Sequence, residues 1–204
     1  MKILAVITAR ANSTRLKNKN LKKIKNQTLV EITINFVSRI KKISDIIISS
    51  DSNKINEIAK KKQIKIVEKR PFGLSMKNTS SALTVIHGVK WYEKKFGKVD
   101  AVALFQPTTP FRNITFINKC IDKFILKKKP VVSSLISNKK KLNSSDGSIY
   151  LILKKDLFRL KSFNEVIATK VYSTDSKYSI DIDNMNDLER AKKLANIINR
   201  NDLF

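Results

Sequence analysis

The sequence contains few of the residues from which several kinds of site are built. It has one cysteine, Cys120, and one histidine, His87, among 204 residues. A disulfide framework cannot form within such a chain, and a zinc site or a conventional Ser-His or Cys-His nucleophile is not expected. His87 lies in a segment of helical periodicity, where we expect it to serve helix packing. The lone cysteine also fits the reducing cytoplasm, which is the expected location of the protein.

Long apolar runs are lacking as well. No apolar stretch approaches the roughly 20 residues that a membrane-spanning helix needs. The chain begins directly with the apolar segment "ILAVI", residues 3–7, which predicts a core strand rather than a signal peptide. We therefore expect neither a membrane span nor a membrane partner.

Acidic residues are scarce, because 17 Asp and Glu face 42 Lys and Arg and give a formal net charge of +25. Such a charge would suit a polyanionic partner, and a basic nucleic-acid-binding module is one alternative. Lysine is spread over the whole chain, however, which favours a solvated surface. Few aromatic residues interrupt the basic stretches, and no recognition helix or zinc signature is present, so no specific nucleic-acid partner is expected.

Short apolar segments alternate with segments of helical periodicity along most of the chain. The predicted strands are residues 3–7, 45–51, 65–70, 100–110, 130–136, 148–155 and 168–174, with a short extended piece at 179–183. The predicted helices are residues 27–42, 53–62, 79–95, 114–129 and 185–200, and residues 137–147 are predicted to form a polar, basic loop. This alternation predicts one α/β domain, residues 1–204, in which helices cover both faces of a mostly parallel sheet.

Polar segments follow four of the predicted strands, with the sequences "TARANSTR", "SSDS", "EKRP" and "FQPTTPFR". The carboxyl ends of parallel strands share one edge of a sheet, which is where ligands bind. The first segment belongs to residues 8–21, which contain Arg10, Arg15 and Lys19 but no glycine. Small residues such as Ser13 and forked arginines are suited to binding a phosphate, although a solvated basic loop is the alternative.

Five motifs in this order resemble those of the CMP-sugar synthetases, the cytidylyltransferases of acylneuraminate and related keto sugar acids. They are "ITARANSTRLKNKNL" (7–21), "IIISSDSNKINEIAKKKQIKIVEKRP" (46–71), "ALFQPTTPFR" (103–112), "DGSIYLI" (146–152) and "SIDIDNMNDLERA" (179–191). The resemblance implies a Rossmann-like, three-layer α/β/α fold of the nucleotide-diphospho-sugar transferase type. It also implies transfer of CMP from CTP to the anomeric hydroxyl of an acidic keto sugar, with release of pyrophosphate.

The resemblance further implies a role for each matching position. Catalytic roles would fall to Arg10, Lys19, Asp181 and Asp183. The nucleotide-binding residues would be Arg10, Ser13, Arg15, Lys19, Asn20, Arg70, Thr79 and Ser81, with Arg15 at a variable position of the motif. Gln106 and Tyr150 would face the sugar, and Asp181 and Asp183 would hold Mg²⁺.

The aspartate pair also has a physical rationale. In an extended strand, residues i and i+2 point to the same face, so Asp181 and Asp183 would present two carboxylates together while Ile180 and Ile182 turn into the core. Two adjacent carboxylates repel each other unless a cation lies between them, and Mg²⁺ prefers oxygen ligands. The alternative is that Asp183 only caps the last helix, with or without Asp187.

Two departures from the family pattern leave alternatives open. Lys77 and Asn78 stand where the family has an acidic residue, and residues 137–147 replace a longer arm that contributes to the sugar pocket and the dimer interface. A homodimer is therefore less strongly expected than for the family. The alternatives are a nucleotidyltransferase of the same fold with a different sugar, Kdo-like or otherwise, and a degenerate homologue that binds nucleotide without turnover.

Overall fold

The structure is a computed structural model that describes residues 1–11, 13–68, 70–76, 79–137, 140–163, 168–173, 175 and 178–198, with the backbone alone for 135–137 and 140–144. The strands are β1 (Ile3–Thr8), β2 (Lys23–Ile24), β3 (Gln27–Thr28), β4 (Asp45–Ser49), β5 (Lys65–Ile66), β6 (Ala101–Phe105), β7 (Val131–Ser137), β8 (Lys140–Leu153) and β9 (Thr169–Ser173). The helices are α1 (Leu29–Ser38), α2 (Asn53–Lys61), α3 (Ser81–Phe96), α4 (Ile114–Lys127), α5 (Lys154–Leu160) and α6 (Met185–Leu194).

Seven of the strands form one sheet in the order β5-β4-β1-β6-β8-β7-β9, and β2 and β3 form a small separate hairpin. The pairs β4–β5, β1–β4, β1–β6 and β7–β9 are parallel. Only β8, among the described strands of this sheet, runs antiparallel to its neighbours β6 and β7. The mostly parallel α/β fold expected from the sequence is confirmed.

Strand β1 shows why helices cover both faces of the sheet. Ile3, Ala5 and Ile7 are fully buried against a cluster that includes residues of α1 and α4. Leu4 and Val6 are equally buried, but they point the other way, into a cluster with residues of α3. Since successive side chains of a strand alternate between faces, a strand that is apolar at every position requires two apolar layers.

The predicted loop at residues 137–147 is wrong where the structure describes it. Residues 140–147 belong to β8, and backbone pairs join Ser137 to Lys140 and Ile136 to Lys141 in a hairpin with β7. Backbone hydrogen bonds to a neighbouring strand do not depend on side-chain polarity, so the basic composition of this segment did not exclude a strand. Residues 138 and 139 lie outside the described part of the chain.

Other boundaries differ in ways that matter for the site. The strand expected at residues 65–70 is ordered as a strand only at Lys65–Ile66, and the chain then turns toward a 3-10 turn at Phe72–Leu74. Residues 180–183 are not part of a strand. A backbone hydrogen bond nevertheless fixes them beside the end of β6, because the N–H of Ile182 donates to the carbonyl of Thr108 (2.8 Å). No helix in the described ranges is both long and apolar enough to cross a membrane.

Candidate active site

A polar cavity of about 350 Å³ lies at the carboxyl edge of the parallel strands. The loops that follow β1 and β6, the 3-10 turn after β5, the start of α3 and the segment before α6 enclose it. Its lining residues are Thr8, Arg10, Ser13, Lys19, Asn20, Arg70, Leu74, Met76, Thr79, Ser81, Thr84, Gln106, Pro107, Thr108, Asp181 and Asp183. This is the edge at which open α/β sheets bind their ligands.

The loop after β1 contains no glycine, and hydrogen bonds from and to side chains hold its shape. The amide Nδ2 of Asn20 donates to the carbonyl of Arg10 (2.9 Å), and the backbone N–H of Ala11 donates to Oδ1 of Asp51 (2.7 Å). Asn18 adopts the left-handed region (φ 54°) and begins a 3-10 turn over Lys19–Leu21. Asparagine tolerates this region better than most residues. The loop thereby places Arg10 and Lys19 at the cavity, while residue 12 lies outside the described part.

Two arginines lie on the side of the cavity near the 3-10 turn. Arg70 donates from Nη1 to the carbonyl of Ser49 (3.1 Å) and from Nη2 to the carbonyl of Leu74 (2.7 Å), while Nη1 of Arg10 reaches the carbonyl of Met76 (3.4 Å). Burial lowers the pKa of Arg70, the charge of Asp51 raises it, and the charge of Arg10 lowers it again. A guanidinium nevertheless stays protonated at neutral pH, so both arginines present positive charge to the cavity.

Thr79 and Ser81 lie beside these arginines at the start of α3. The hydroxyl of Thr79 donates to the carbonyl of Gly73 (2.5 Å), and that of Thr84 donates to the carbonyl of Leu74 (3.3 Å). Ser80 caps the helix by accepting from the N–H of Ala82 (3.2 Å). The turn at Phe72–Leu74 is therefore fastened to α3. Lys77 and Asn78, the positions that depart from the family pattern, lie outside the described residues.

Asp181 and Asp183 both line the cavity, as their alternation predicts. Ile180 is 5% exposed and Ile182 is fully buried, whereas Asp181 is exposed. The cap of α6 is Asn184, whose side chain accepts from the N–H of Asp187 (3.0 Å) while Asp187 accepts from the N–H of Asn184. The alternative that Asp183 serves only as the helix cap is therefore wrong.

Asp183 forms two ion pairs with the loop after β1. Its Oδ1 is 2.9 Å from Nζ of Lys19, and its Oδ2 is 3.0 Å from Nη1 of Arg15. The hydrogen bond from Lys19 lowers the pKa of Asp183, burial partly opposes this, and the charges of Lys19 and Arg15 lower it further. Asp183 is therefore ionised at neutral pH, and the opening loop and the segment before α6 are held together across the cavity.

The carboxylate of Asp181 makes no hydrogen bond or ion pair with any residue that the structure describes. It thus keeps lone pairs for a cation at the cavity, and Asp183 can supply a second carboxylate. No group of three or more His, Cys, Asp or Glu side chains close enough to hold a metal exists within the described ranges. A cation at this pair would therefore need further ligands from a substrate or water, which is how Mg²⁺ usually binds at phosphate sites.

The structure brings together most of the residues that the sequence singled out. Arg10, Ser13, Lys19, Asn20, Arg70, Thr79, Ser81, Gln106, Asp181 and Asp183 all line the cavity. Arg15 does not line it but pairs with Asp183 from the rim, where its side chain is 68% exposed.

Tyr150 is also absent from the described lining. It lies on β8 opposite Leu104, and its ring packs 5.7 Å from that of Phe163. Burial raises the pKa of its hydroxyl, a hydrogen bond with Ser145 lowers it, and the charges of Asp181 and Asp146 raise it, with a net increase. Tyr150 is therefore a neutral, half-buried side chain that is not among the lining residues of the cavity.

Sequence reasoning missed several lining residues, namely Thr8, Leu74, Met76, Thr84, Pro107 and Thr108. Thr8, Pro107 and Thr108 had a detectable signal, because each follows or ends a predicted strand within a polar segment. Leu74 and Met76 had none, since their place at the cavity depends on the side chains of Arg70, Thr84 and Arg10 that fix the 3-10 turn.

Comparisons with known proteins show the family to which this chain belongs. Residues 4–198 match the family described as Cytidylyltransferase. The CMP-N,N'-diacetyllegionaminic acid synthase of Legionella pneumophila subsp. pneumophila is 26% identical over 226 residues, which cover 97% of each chain. That aligned length exceeds the 204 residues of this chain, so the relative contains residues without a counterpart here. The N-acylneuraminate cytidylyltransferase of Escherichia coli O18:K1:H7 is 27% identical, and the match covers 98% of this chain but 53% of that protein.

Solved structures share the fold at lower identity. A cytidylyltransferase from Leptospira borgpetersenii serovar Hardjo-bovis superimposes with a TM-score of 0.75 at 16% identity, covering 99% of this chain and 90% of that one. A CMP:2-keto-3-deoxy-manno-octonic acid synthetase complexed with CTP gives a TM-score of 0.70 at 12% identity, with 97% and 99% coverage. The family match spans nearly the whole chain and includes every residue of the cavity: the protein is a nucleotidyltransferase that belongs to the cytidylyltransferase family.

Proposed function

We propose that the chain transfers CMP from CTP to the anomeric hydroxyl of an acidic keto sugar of the acylneuraminate class and releases pyrophosphate. The observation that carries the proposal is that cations and carboxylates line the same cavity. The cations are Arg10, Lys19 and Arg70, and the carboxylates are those of Asp181 and Asp183. Cations of this kind neutralise a triphosphate, and paired carboxylates suit its metal. The names of the legionaminic acid and acylneuraminate relatives support the class of sugar.

The two ends of the nucleotide fit different parts of the cavity. The triphosphate would lie against Arg10, Ser13 and Lys19 of the loop after β1, with Asn20 holding that loop in shape and Arg15 at its rim. The nucleoside would lie against Arg70, Thr79 and Ser81, beside backbone groups of the 3-10 turn. Arginine forks and fixed backbone groups bind such ligands with defined geometry.

Transfer proceeds by in-line attack of the sugar hydroxyl on the α-phosphorus, with pyrophosphate as the leaving group. The P–O bond to pyrophosphate breaks as the bond to the sugar oxygen forms, and the hydroxyl proton passes to water. Little covalent chemistry falls to the protein, so Arg10 and Lys19 act by holding the phosphates and neutralising charge. Mg²⁺ held by Asp181 and Asp183 would lower the charge of the phosphate group under attack.

The sugar would enter beside Gln106, with Tyr150 behind that part of the wall. The β7–β8 hairpin stands where the resemblance to the CMP-sugar synthetases implies a longer arm, so fewer residues of this chain would contact the sugar. The reaction is assigned to the cytoplasm, in keeping with the buried, unpaired Cys120.

The experiment is a pyrophosphate-release assay with CTP, Mg²⁺ and a panel of keto sugar acids: N-acetylneuraminate, legionaminate, pseudaminate and Kdo. Release with an acylneuraminate-class sugar, absent in Asp183→Ala, is the expected result. Release with Kdo alone would instead establish the same-fold alternative. CTP binding without release across the panel would establish a degenerate nucleotide-binding homologue.

The nucleic-acid-binding alternative makes a different forecast. It predicts a steeply salt-dependent affinity for nucleic acid that mutations of Asp181 or Arg10 leave unchanged. Weak, non-specific retention on a polyanion would not support it, because any protein of +25 net charge is retained.

A further inference from the structure

Arg112 is a fully buried cation that the proposed reaction leaves without a role. Its exposure is 0%, and it is among the largest fully buried side chains of the described chain. The guanidinium carbon Cζ lies 5.9 Å from the ring centroid of Phe36 and 5.4 Å from that of Phe105. Burial lowers the pKa of Arg112, and the charges of Asp146 and Asp181 partly restore it. Charged groups are seldom buried so completely unless they are paired or hydrogen-bonded.

The hydrogen bonds of Arg112 join two strands at the point where they separate. Its Nε donates to the carbonyl of Ser148 (2.8 Å), and its Nη2 donates to the carbonyl of Gln106 (2.7 Å). The antiparallel pairing of β6 with β8 ends at Leu104 and Tyr150. If the pairing continued in the same register, Gln106 would lie opposite Ser148, two residues beyond the last pair. The guanidinium therefore occupies the gap where the sheet would otherwise close.

Opening the sheet at this point creates the wall of the cavity. Gln106, Pro107 and Thr108 turn away from β8 and line the cavity, and the N–H of Thr109 closes the turn by donating to the carbonyl of Gln106 (3.2 Å). On the other strand, Gly147 approaches so closely that a Cβ there would lie 2.8 Å from Oγ1 of Thr109. The side chain of Thr109 therefore lies close to the backbone of Gly147, and the carbonyl of Gln106 is hydrogen-bonded to the guanidinium of Arg112.

The same turn supports the aspartate segment. The carbonyl of Thr108 accepts from the N–H of Ile182, the residue between Asp181 and Asp183. Arg112, Gln106, Thr108 and the two aspartates therefore form one connected unit. Among the described residues, neither the loop after β1 nor Arg70 is hydrogen-bonded to residues 106–109. The loop is joined to this unit at Asp183, through the ion pairs of that carboxylate with Lys19 and Arg15.

We propose that Arg112 is a positioning residue that holds the turn of residues 106–109 open from β8, and thereby sets the side of the cavity at which the acceptor sugar reacts. The expected effect on kcat and KM rests on the proposed CMP transfer. The expected opening of the turn from β8 does not depend on that function. The planar fork is required because one head group must satisfy two carbonyls with fixed separation; a lysine ammonium is a single point on a flexible stem.

The kinetic test compares wild type with Arg112→Lys and Arg112→Met. Arg112→Lys keeps the charge but cannot span both carbonyls, and Arg112→Met also removes the charge at similar length. We expect kcat to fall roughly 10- to 100-fold and KM for the sugar to rise, since small displacements of reacting groups have effects of this size. The Kd for CTP, measured without Mg²⁺, should stay within about threefold of wild type, because Arg10 and Arg70 make no hydrogen bond to this turn among the described residues and Lys19 is linked to it through Asp183 alone.

The structural test is hydrogen exchange without ligand, read in peptides that cover residues 105–113 and 145–151. We expect faster exchange in both peptides for Arg112→Lys, with the rest of the chain unchanged. Ile55→Val is the matched control: Ile55 is buried in α2, whose main contacts are with β5 and α1. Its loss of stability should leave these two peptides, KM for the sugar and kcat per folded molecule at wild-type values.

Unchanged exchange in the two peptides, or exchange that rises uniformly along the chain, would overturn the proposal. So would a rate loss equal to the unfolded fraction with both KM values unaltered, which is what a merely structural role predicts. If Arg112→Met does not fold, the kinetic and hydrogen-exchange results for Arg112→Lys decide whether Arg112 is a positioning residue. If the wild type transfers CMP to no sugar, the proposed function fails, and hydrogen exchange still decides the role of Arg112.

Discussion

Replacement of Asp183 by asparagine separates the structural contribution of this carboxylate from its catalytic one. The side chain of Asp183 is 36% exposed, and its partners Lys19 and Arg15 are 12% and 68% exposed. The exposed pair with Arg15 contributes little to stability because solvent screens it. The pair with Lys19 matters more, since its ammonium is largely buried and would lose its carboxylate. After discounting for exposure, we expect a loss of about 1 kcal/mol, or roughly 2–4 °C in Tm for a chain of this size.

The expected effect on the reaction is much larger. The amide oxygen of the substituted side chain would still accept a hydrogen bond from Lys19, but one of the two carboxylates proposed for Mg²⁺ would be replaced by a neutral group. Metal-assisted charge neutralisation supplies several kcal/mol of transition-state stabilisation. A loss of about 3–4 kcal/mol corresponds to a kcat lower by roughly 10²–10³-fold. The stability loss cannot account for this decrease, because the variant remains folded at the assay temperature.

The assay is pyrophosphate release at saturating CTP over a series of Mg²⁺ concentrations, together with thermal unfolding of the same samples. Asp122→Asn is the matched control, because Asp122 pairs with Lys42 on the surface of α4, far from the cavity. The control should retain wild-type kcat. A wild-type rate in Asp183→Asn at ordinary Mg²⁺, or an equal decrease in the control, would refute the reasoning.

Three further predictions concern binding, packing and pH. Arg10→Ala should raise the Kd for CTP roughly 10- to 100-fold in calorimetry, since a charge-assisted hydrogen bond contributes about 1.5–3 kcal/mol; an unchanged Kd would exclude Arg10 from the site. Gly147→Ala should destabilise the protein by about 1–3 kcal/mol in urea unfolding, because φ is +80° and the new Cβ would lie 2.8 Å from Thr109. Gly97→Ala, with φ +85° and no atom within 4 Å, should have a smaller effect, and equal effects would contradict the packing argument. Burial raises the pKa of Asp45, but its hydrogen bonds lower it more, to a value below the usual 3.8. Its stabilisation is therefore present above about pH 3.8 and lost as pH falls below it, so Asp45→Asn should unfold with a weaker acid dependence.

Much of the fold follows from local patterns. Uninterrupted apolar segments such as residues 3–7 predicted buried strands, and the alternation with helical periodicity predicted a mostly parallel sheet. The spacing of Asp181 and Asp183 was also informative, because side-chain alternation operates over two residues and requires no knowledge of distant contacts. The polar ends of the strands pointed to the edge of the sheet at which the polar cavity lies, because the carboxyl ends of parallel strands share one edge.

The features that the sequence did not predict depend on distant pairing. The direction and length of β8 follow from its hydrogen bonds to β6 and β7, and its basic first half resembles a loop in composition. The full burial of Arg112 depends on the carbonyls of Gln106 and Ser148, which are 6 and 36 residues away. The pairing of Arg15 with Asp183 likewise joins opposite ends of the chain. Local patterns contain no information about such contacts.

The central claim is most directly tested by ³¹P NMR of the wild-type protein with CTP, Mg²⁺ and one sugar acid of the acylneuraminate class at a time. The account predicts a new phosphodiester signal and pyrophosphate in equal amounts as CTP disappears, and no change with Asp183→Ala. Hydrolysis of CTP to orthophosphate, or an unaltered CTP spectrum with every sugar of this class, would contradict it.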